Sequence, residues 1–252
     1  MAGTAVLGRL TWQVGTVTAV REETSTARTI ALDVPQWPGH LAGQHVDVRL
    51  TAEDGYSAQR SYSIASAPGS KQLELTVQRL PDGEVSSYLA DVLEVGYPLE
   101  LRGPIGGWFV WEPDIAAPVL LVAGGSGVVP LMAMIRTRTA DGSKAPFRLV
   151  YSVRSPDTEL YKDELAERQR GDDGLQVEYV YTRSTPPGWP VPPGRIGAGA
   201  LTAPGWAPDR NPEVFVCGPT GFVEAVANLL VSAGHDPRAI KTERFGPSGG
   251  QS

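Results

Sequence analysis

Residues 118–130 read Pro-Val-Leu-Leu-Val-Ala-Gly-Gly-Ser-Gly-Val-Val-Pro. The run from Pro118 to Ala123 is apolar throughout, which suits a parallel strand buried on both faces. Gly124, Gly125, Ser126 and Gly127 follow, and from Val128 to Arg136 the spacing becomes helical. A strand that ends in glycines and opens a helix brings backbone N–H groups and a helix N-terminus to one point, where a phosphate can sit. Pro130 stands where a third glycine would complete the G-x-G-x-x-G fingerprint, so the loop is a variant of the dinucleotide-binding turn.

Downstream the alternation continues. Residues 147–153 form a second buried strand, 159–168 a charged amphipathic helix, 177–181 a third strand and 214–217 a fourth. Residues 220–231 form a helix that Gly234 is placed to end. Such alternation predicts a doubly wound parallel sheet, with the Pro/Gly-rich stretch 186–199 as a loop within it. Upstream the rhythm differs. Short strands are expected at 12–20, 28–34, 45–50, 61–64, 73–80 and 98–101. Turn pairs such as Asp54-Gly55, Pro68-Gly69 and Asp82-Gly83 separate them, the pattern of an antiparallel sandwich or barrel. Val85, Tyr88, Leu89 and Val92 are spaced as one face of a short helix. Glu112-Pro113-Asp114 breaks the pattern and divides the chain into domains 1–112 and 113–252.

Composition narrows the function. The 252 residues carry a net charge of −6, a poor basis for binding nucleic acid. Cys217 is the single cysteine, so neither an internal disulfide nor a four-cysteine iron–sulfur cluster is available within the chain. His40, His45 and His235 show no metal-ligand spacing, and no metal is expected. No apolar run is long enough to span a membrane. The first ten residues lack the features of a signal peptide, and a cytoplasmic location is the simplest expectation. Residues 246–252 read as a short tail.

Three further motifs carry chemistry. In Arg60-Ser61-Tyr62-Ser63 a strand puts Arg60 and Tyr62 on one face and Ser61 on the other. Gly83-Glu84-Val85-Ser86-Ser87-Tyr88-Leu89 opens the short helix. Cys217-Gly218-Pro219 follows the fourth buried strand. Alone, Arg60-Ser61-Tyr62-Ser63 reads first as an ordinary strand, the second stretch as a plain capped helix, and a lone cysteine at a strand end as a small buried hydrophobe, although the Gly-Pro that follows Cys217 favours a functional role. In this order and spacing they resemble the ferredoxin–NADP reductase family, whose motifs are R-x-Y-S, G-x-V-S-x-x-L, G-T/S-G-x-x-P and C-G-P. Residues 103–109, Gly-Pro-Ile-Gly-Gly-Trp-Phe, resemble the family's barrel-closing turn. The resemblance runs over about residues 12–246.

It implies a six-stranded antiparallel β-barrel that binds flavin, followed by a Rossmann-like NAD(P) domain. Arg60 would pair with the flavin pyrophosphate, Tyr62 would pack on the flavin, and Ser61 and Ser63 would complete that strand, Ser63 near the flavin N5. Gly83, Val85 and Ser86 would hold the pyrophosphate at the helix, with Val77 and Arg79 contributing from a neighbouring strand. Gly125, Ser126, Gly127 and Pro130 would meet the nicotinamide nucleotide, with Cys217, Gly218 and Pro219 beside the nicotinamide. Glu243 would contact a proton or the nicotinamide, and Phe245 would cover a ring. The alternative for residues 241–245 is a plain edge strand and tail.

FAD is favoured over FMN. NADPH is favoured over NADH because Arg154, Thr182-Arg183 and Arg195 can meet the extra 2′-phosphate, a group of about −2 charge. The implied reaction is hydride transfer from NAD(P)H to flavin, then single electrons to a ferredoxin, flavodoxin or oxygenase component. Any iron–sulfur cluster would belong to the partner. Two other roles remain open: a flavin-bearing subunit of a larger complex, and a non-catalytic redox or nicotinamide sensor.

Overall fold

The computed structural model describes residues 10–246. Residues 1–9 and 247–252, which include most of the segment read for a leader and nearly all of the expected tail, lie outside the described residues. In the first half, β1 (Gln13–Thr24), β2 (Ala27–Asp33), β3 (His45–Thr51), β4 (Ser57–Ser63), β5 (Leu73–Gln78) and β6 (Pro98–Ile105) form one sheet. The spatial order is β4-β3-β6-β1-β2-β5, with every ladder antiparallel. A bridge between Ile64 and Leu75 joins the two ends and closes the barrel. Alternation puts Ile30, Leu32, Val46, Val48, Leu75 and Leu101 inside, as period-two side-chain placement requires.

The expected short helix is present as α1 (Glu84–Ser87), which continues into a wide turn over Tyr88–Val92. There the Leu93 N–H donates to the Tyr88 carbonyl at 3.0 Å, five residues back. The wide turn takes in one residue more than an α-turn. Leu93 is therefore buried beside Val85 and Leu89, and Val92, expected on the buried face, is exposed.

In the second half, β7 (Val119–Gly124), β8 (Phe147–Val153), β9 (Leu175–Tyr181), β10 (Glu213–Pro219) and β11 (Ile240–Phe245) build a sheet of order β11-β10-β7-β8-β9. All its ladders are parallel. Helices α2 (Val128–Ala140) and α3 (Lys162–Gly171) cover one face, and α4 (Ala198–Leu201) and α5 (Thr220–Ser232) the other. The sheet is doubly wound, as the alternation predicts. Helix α3 starts at Lys162 rather than near 159, because Tyr161 adopts φ 58° in the left-handed region. Glu159 is left outside the helix, buried, where it accepts a 2.7 Å hydrogen bond from the Tyr181 hydroxyl. No described helix is long and apolar enough to cross a membrane.

The two sheets share one apolar seam. Phe109 and Trp111, just after the barrel, meet Phe215 and Phe147 edge-on at centroid distances of 5.4 and 4.9 Å. Ala27, Ala42 and Ala65 of the first domain belong to the same buried cluster as α2 and β8. Gly43 lies in this seam at φ +103°, and a Cβ there would overlap the Phe109 carbonyl oxygen and come within 2.8 Å of Met134. Both strain and overlap oppose a side chain. Gly43→Ala should therefore lower the unfolding free energy by roughly 2–4 kcal/mol, measured by urea titration; an unchanged midpoint would mean that the seam yields easily.

Candidate active site between the two domains

Barrel strand β4 supplies the first half-site. Its register against β3 sets Tyr62 opposite Val46 and Ser63 opposite His45. Arg60 is exposed, and one guanidinium nitrogen donates to the Gln59 carbonyl at 2.7 Å. No carboxylate lies within ion-pair distance of it among the described residues, so its charge is available to an anion. Burial pushes the Tyr62 phenol up to about 12, with Arg60 pulling the other way, so the ring is neutral and packs as an aromatic plate. Ser61 points to the opposite sheet face and donates to Asp47 at 2.7 Å. Arg102 donates to the same carboxylate at 2.8 and 3.0 Å. The Ser61 side chain is thus committed to the barrel.

Helix α1 packs beside β4. Gly83 is its N-cap, and a Cβ there would run into Ser86 Oγ. Ser86 Oγ instead accepts from the Leu80 N–H at 3.1 Å and donates to the Gly83 carbonyl at 3.2 Å. This ties the turn into a tight cradle at a helix start whose first N–H groups have no intrahelical acceptor. Val77 and Val85 are buried in the barrel core. Arg79 is exposed and lies 3.5 Å from Asp91.

The parallel sheet supplies the second half-site at the carboxyl ends of β7 and β10, where open α/β sheets hold ligands. Its glycines divide by role. A Cβ on Gly124 or Gly218 would come within 2.7 Å of the Phe222 ring, and one on Gly127 would strike the Cys217 carbonyl. These three are required by packing. Gly125, at φ +55°, has nothing within 4 Å of its Cβ position and lies at the open edge beside Ser126. Pro130 sits in the first turn of α2, where a missing N–H is tolerated.

The half-sites meet through one chain of contacts. Ser63 pairs with His45 across β3–β4. His45 Nδ1 lies 3.7 Å from Glu243 Oε1. Glu243 pairs with Cys217 across β10–β11. The cysteine is 1% exposed, and burial, with the Glu243 carboxyl adding to it, pushes its thiol well up. Burial raises Glu243 to about 7, and its Oε2 is buried with no hydrogen-bond partner. Burial lowers His45, so its ring is neutral at pH 7 and this contact is not a full ion pair. Phe245 ends β11 and is exposed. In the sequence His45 carries no metal-ligand spacing and no other local motif that marks it. Its place opposite Ser63 follows from strand pairing, which no local motif encodes.

Farther along the same sheet edge, the Arg183 N–H donates to the Arg154 carbonyl at 2.9 Å, and the Gly194 N–H to the Tyr181 carbonyl at 2.9 Å. Thr182 Oγ1 donates to the Val153 carbonyl at 3.3 Å. These bonds gather Arg154, Arg183 and Arg195 at the ends of β8 and β9. All three are exposed, and none forms an ion pair among the described residues.

Residues 14–110 match the oxidoreductase FAD-binding domain family, and residues 121–228 the oxidoreductase NAD-binding domain family. Over 213 residues the chain is 37% identical to ferredoxin–NADP reductase B of Sorangium cellulosum, covering 81% of this chain and 84% of that protein. The chain belongs to the ferredoxin–NADP reductase family. The chain is also 34% identical over 233 residues to the glycine betaine monooxygenase reductase subunit of Chromohalobacter salexigens. That match takes in 90% of this chain but spans only 62% of the relative's length. Among solved structures of the family's fold, the cytochrome P450 reductase GcoB of Amycolatopsis superposes with a TM-score of 0.82 at 28% identity, over 98% of this chain and 74% of that one.

A carboxyl raised to about 7 destabilises the folded state as pH rises. The burden begins near the unfolded value of about 4.3 and is complete above the folded value. Relative to Glu243→Gln, the wild-type protein should lose stability between pH 5 and 8, by about 3 kcal/mol at most. Parallel urea titrations across that range check this, and curves that keep a constant offset would show Glu243 to be charged throughout.

Proposed function

We propose that this chain oxidises NAD(P)H, with NADPH preferred, and passes the electrons singly through FAD to a separate redox protein. The observation that carries the reading is the junction of the two half-sites: Ser63 and His45 of the barrel reach Glu243 and Cys217 of the parallel sheet. When bound, FAD supplies the conversion of a two-electron donor into single electrons. The protein's part is position and charge.

Arg60 and the α1 cradle at Gly83 and Ser86 fit a pyrophosphate, because a guanidinium fork and a helix start both match phosphate oxygens. Tyr62 offers a neutral ring to a flat cofactor, and Ser63 a hydroxyl at the strand end. Gly125 and Ser126 offer open backbone and a hydroxyl to the nicotinamide nucleotide. Cys217 and Glu243 line the place where the two cofactors meet, and Phe245 stands at its edge. Exposed Arg154, Arg183 and Arg195 fit a 2′-phosphate, and their lack of acidic partners among the described residues supports NADPH over NADH. The reading of FAD over FMN is supported by the FAD-binding domain match.

The acceptor we propose is a ferredoxin, a flavodoxin or an oxygenase component. The Chromohalobacter relative, a monooxygenase reductase subunit, supports the last and also favours a second reading, in which the chain works as the flavin-bearing subunit of a complex.

Anaerobic titration of the FAD-loaded protein should show flavin bleaching at lower NADPH than NADH, and turnover with an artificial one-electron acceptor. A flavoprotein that neither nucleotide bleaches would sink the enzyme reading in favour of a sensor. In Arg183→Ala the NADPH concentration for half-maximal rate should rise on the order of ten- to a hundredfold, the loss of one charge-assisted contact. The NADH value should stay nearly constant, and equal changes for both nucleotides would remove Arg183 from the phosphate site.

A further inference from the structure

We infer that Arg136 is the positioning residue that sets the separation of the two half-sites, by bolting the helix behind the 125–127 loop to the strand end behind Ser63. This role presupposes the hydride-transfer reading above. Arg136 lies on α2, the helix that the Gly125-Ser126-Gly127 loop opens. Its side chain is only 11% exposed, and all three guanidinium nitrogens donate. Nε and Nη2 fork onto Glu164 of α3 at 3.0 and 2.6 Å. Nη1 crosses to the barrel, donating to the Ala65 carbonyl at 2.9 Å and to Glu74 Oε2 at 2.7 Å.

The two barrel acceptors are not arbitrary. Ala65 is two residues beyond Ser63, and its N–H donates to the Glu74 carbonyl at 2.8 Å. Ile64, between them, closes the barrel against Leu75. Arg136 therefore grips the segment that fixes the end of β4. The other end of α2 is held just as closely, since Gly127 packs against the Cys217 carbonyl with no room for a Cβ. The helix is thus a strut with the nucleotide loop at one end and the barrel at the other.

Beside it, Tyr161 makes a second crossing. Its hydroxyl donates to Thr76 of β5, its N–H donates to Glu23 of β1 at 3.2 Å, and its ring lies 5.1 Å from the Arg136 guanidinium carbon. The left-handed backbone of Tyr161 is maintained where these contacts hold it.

The lever is steep. Nine helical steps separate Gly127 from Arg136, about 13 Å of rise, so once the bolt is lost a rotation of roughly 4° between the two domains over that arm shifts the loop against the barrel by about 1 Å. Hydride transfer needs reacting atoms about 3–3.5 Å apart, and a 1 Å displacement can cost on the order of a hundredfold in rate. Lysine keeps the charge but cannot reach Glu164, Glu74 and Ala65 together, because it lacks the planar fork.

The test uses the FAD-loaded protein with Arg136→Lys and, as a milder change that removes one crossing acceptor's charge, Glu74→Gln. Under anaerobic stopped flow with saturating NADPH, the limiting rate of flavin bleaching should fall on the order of ten- to a hundredfold in Arg136→Lys and by about threefold or more in Glu74→Gln. The half-saturating nucleotide concentration should stay within about twofold, since the cofactor contacts within each domain are untouched. Hydrogen exchange on the oxidised protein should quicken in segments 64–66 and 160–162 and not in the barrel interior.

Wild-type rates in either variant together with quickened exchange overturn the role. So does a rate loss that tracks loss of FAD or nucleotide binding, which would assign Arg136 to folding. If Arg136→Lys does not fold, Glu74→Gln decides alone. Wild-type protein that neither nucleotide bleaches overturns the hydride-transfer reading and this role with it, whereas equal bleaching in wild type and variants overturns the role only.

Discussion

Two half-sites on different sheets can cooperate only if their separation is fixed, and here an apolar seam does that first. Trp111 and Phe109 leave the barrel and meet Phe147 and Phe215 edge-on. Each ring is buried, so the seam carries the large apolar area that makes aromatic contacts effective. Around it the polar crossings can be specific without having to provide the bulk of the cohesion. Lys241 illustrates the division of labour: its ammonium donates to the Val110 carbonyl at 3.2 Å and lies 4.8 Å from the Phe215 ring centre. A charged group thereby finishes an apolar contact between the domains.

Much of this architecture was legible in the chain. The apolar run before Gly124 and the continuous strand at 147–153 declare a parallel sheet, because only strands covered on both faces are apolar throughout. The barrel strands declare themselves by alternation. What local patterning could not carry were features decided by tertiary contact. The wide turn that exchanges Val92 for Leu93 follows from one displaced hydrogen bond. The late start of α3 follows from Tyr161, whose backbone is held by groups 85 and 138 residues away.

The site divides in the same way. Arg60, Gly83, Ser86, Ser126 and Cys217 stand in motifs with fixed spacing; α1, which Gly83 caps and which carries Ser86, packs beside the strand of Arg60, and the loop of Ser126 packs against Cys217. His45 has no motif, and its importance comes only from lying opposite Ser63 and beside Glu243. Conversely, a motif does not say which atoms are free. Ser61 stands inside the R-x-Y-S pattern, yet its hydroxyl serves Asp47. Gly127 stands inside the nucleotide loop, yet its lack of a side chain answers to the Cys217 carbonyl.

The burial of Cys217 has a chemical consequence of its own. Thiols react with electrophiles and peroxides as thiolates, and only when reagents can reach them. This sulfur is enclosed, and its surroundings hold the proton on. The single cysteine of the chain is therefore sheltered from alkylation and oxidative damage, although it sits beside Glu243 and the glycine-rich loop. Burial thus keeps the one thiol of the chain protonated and out of reach of side reactions.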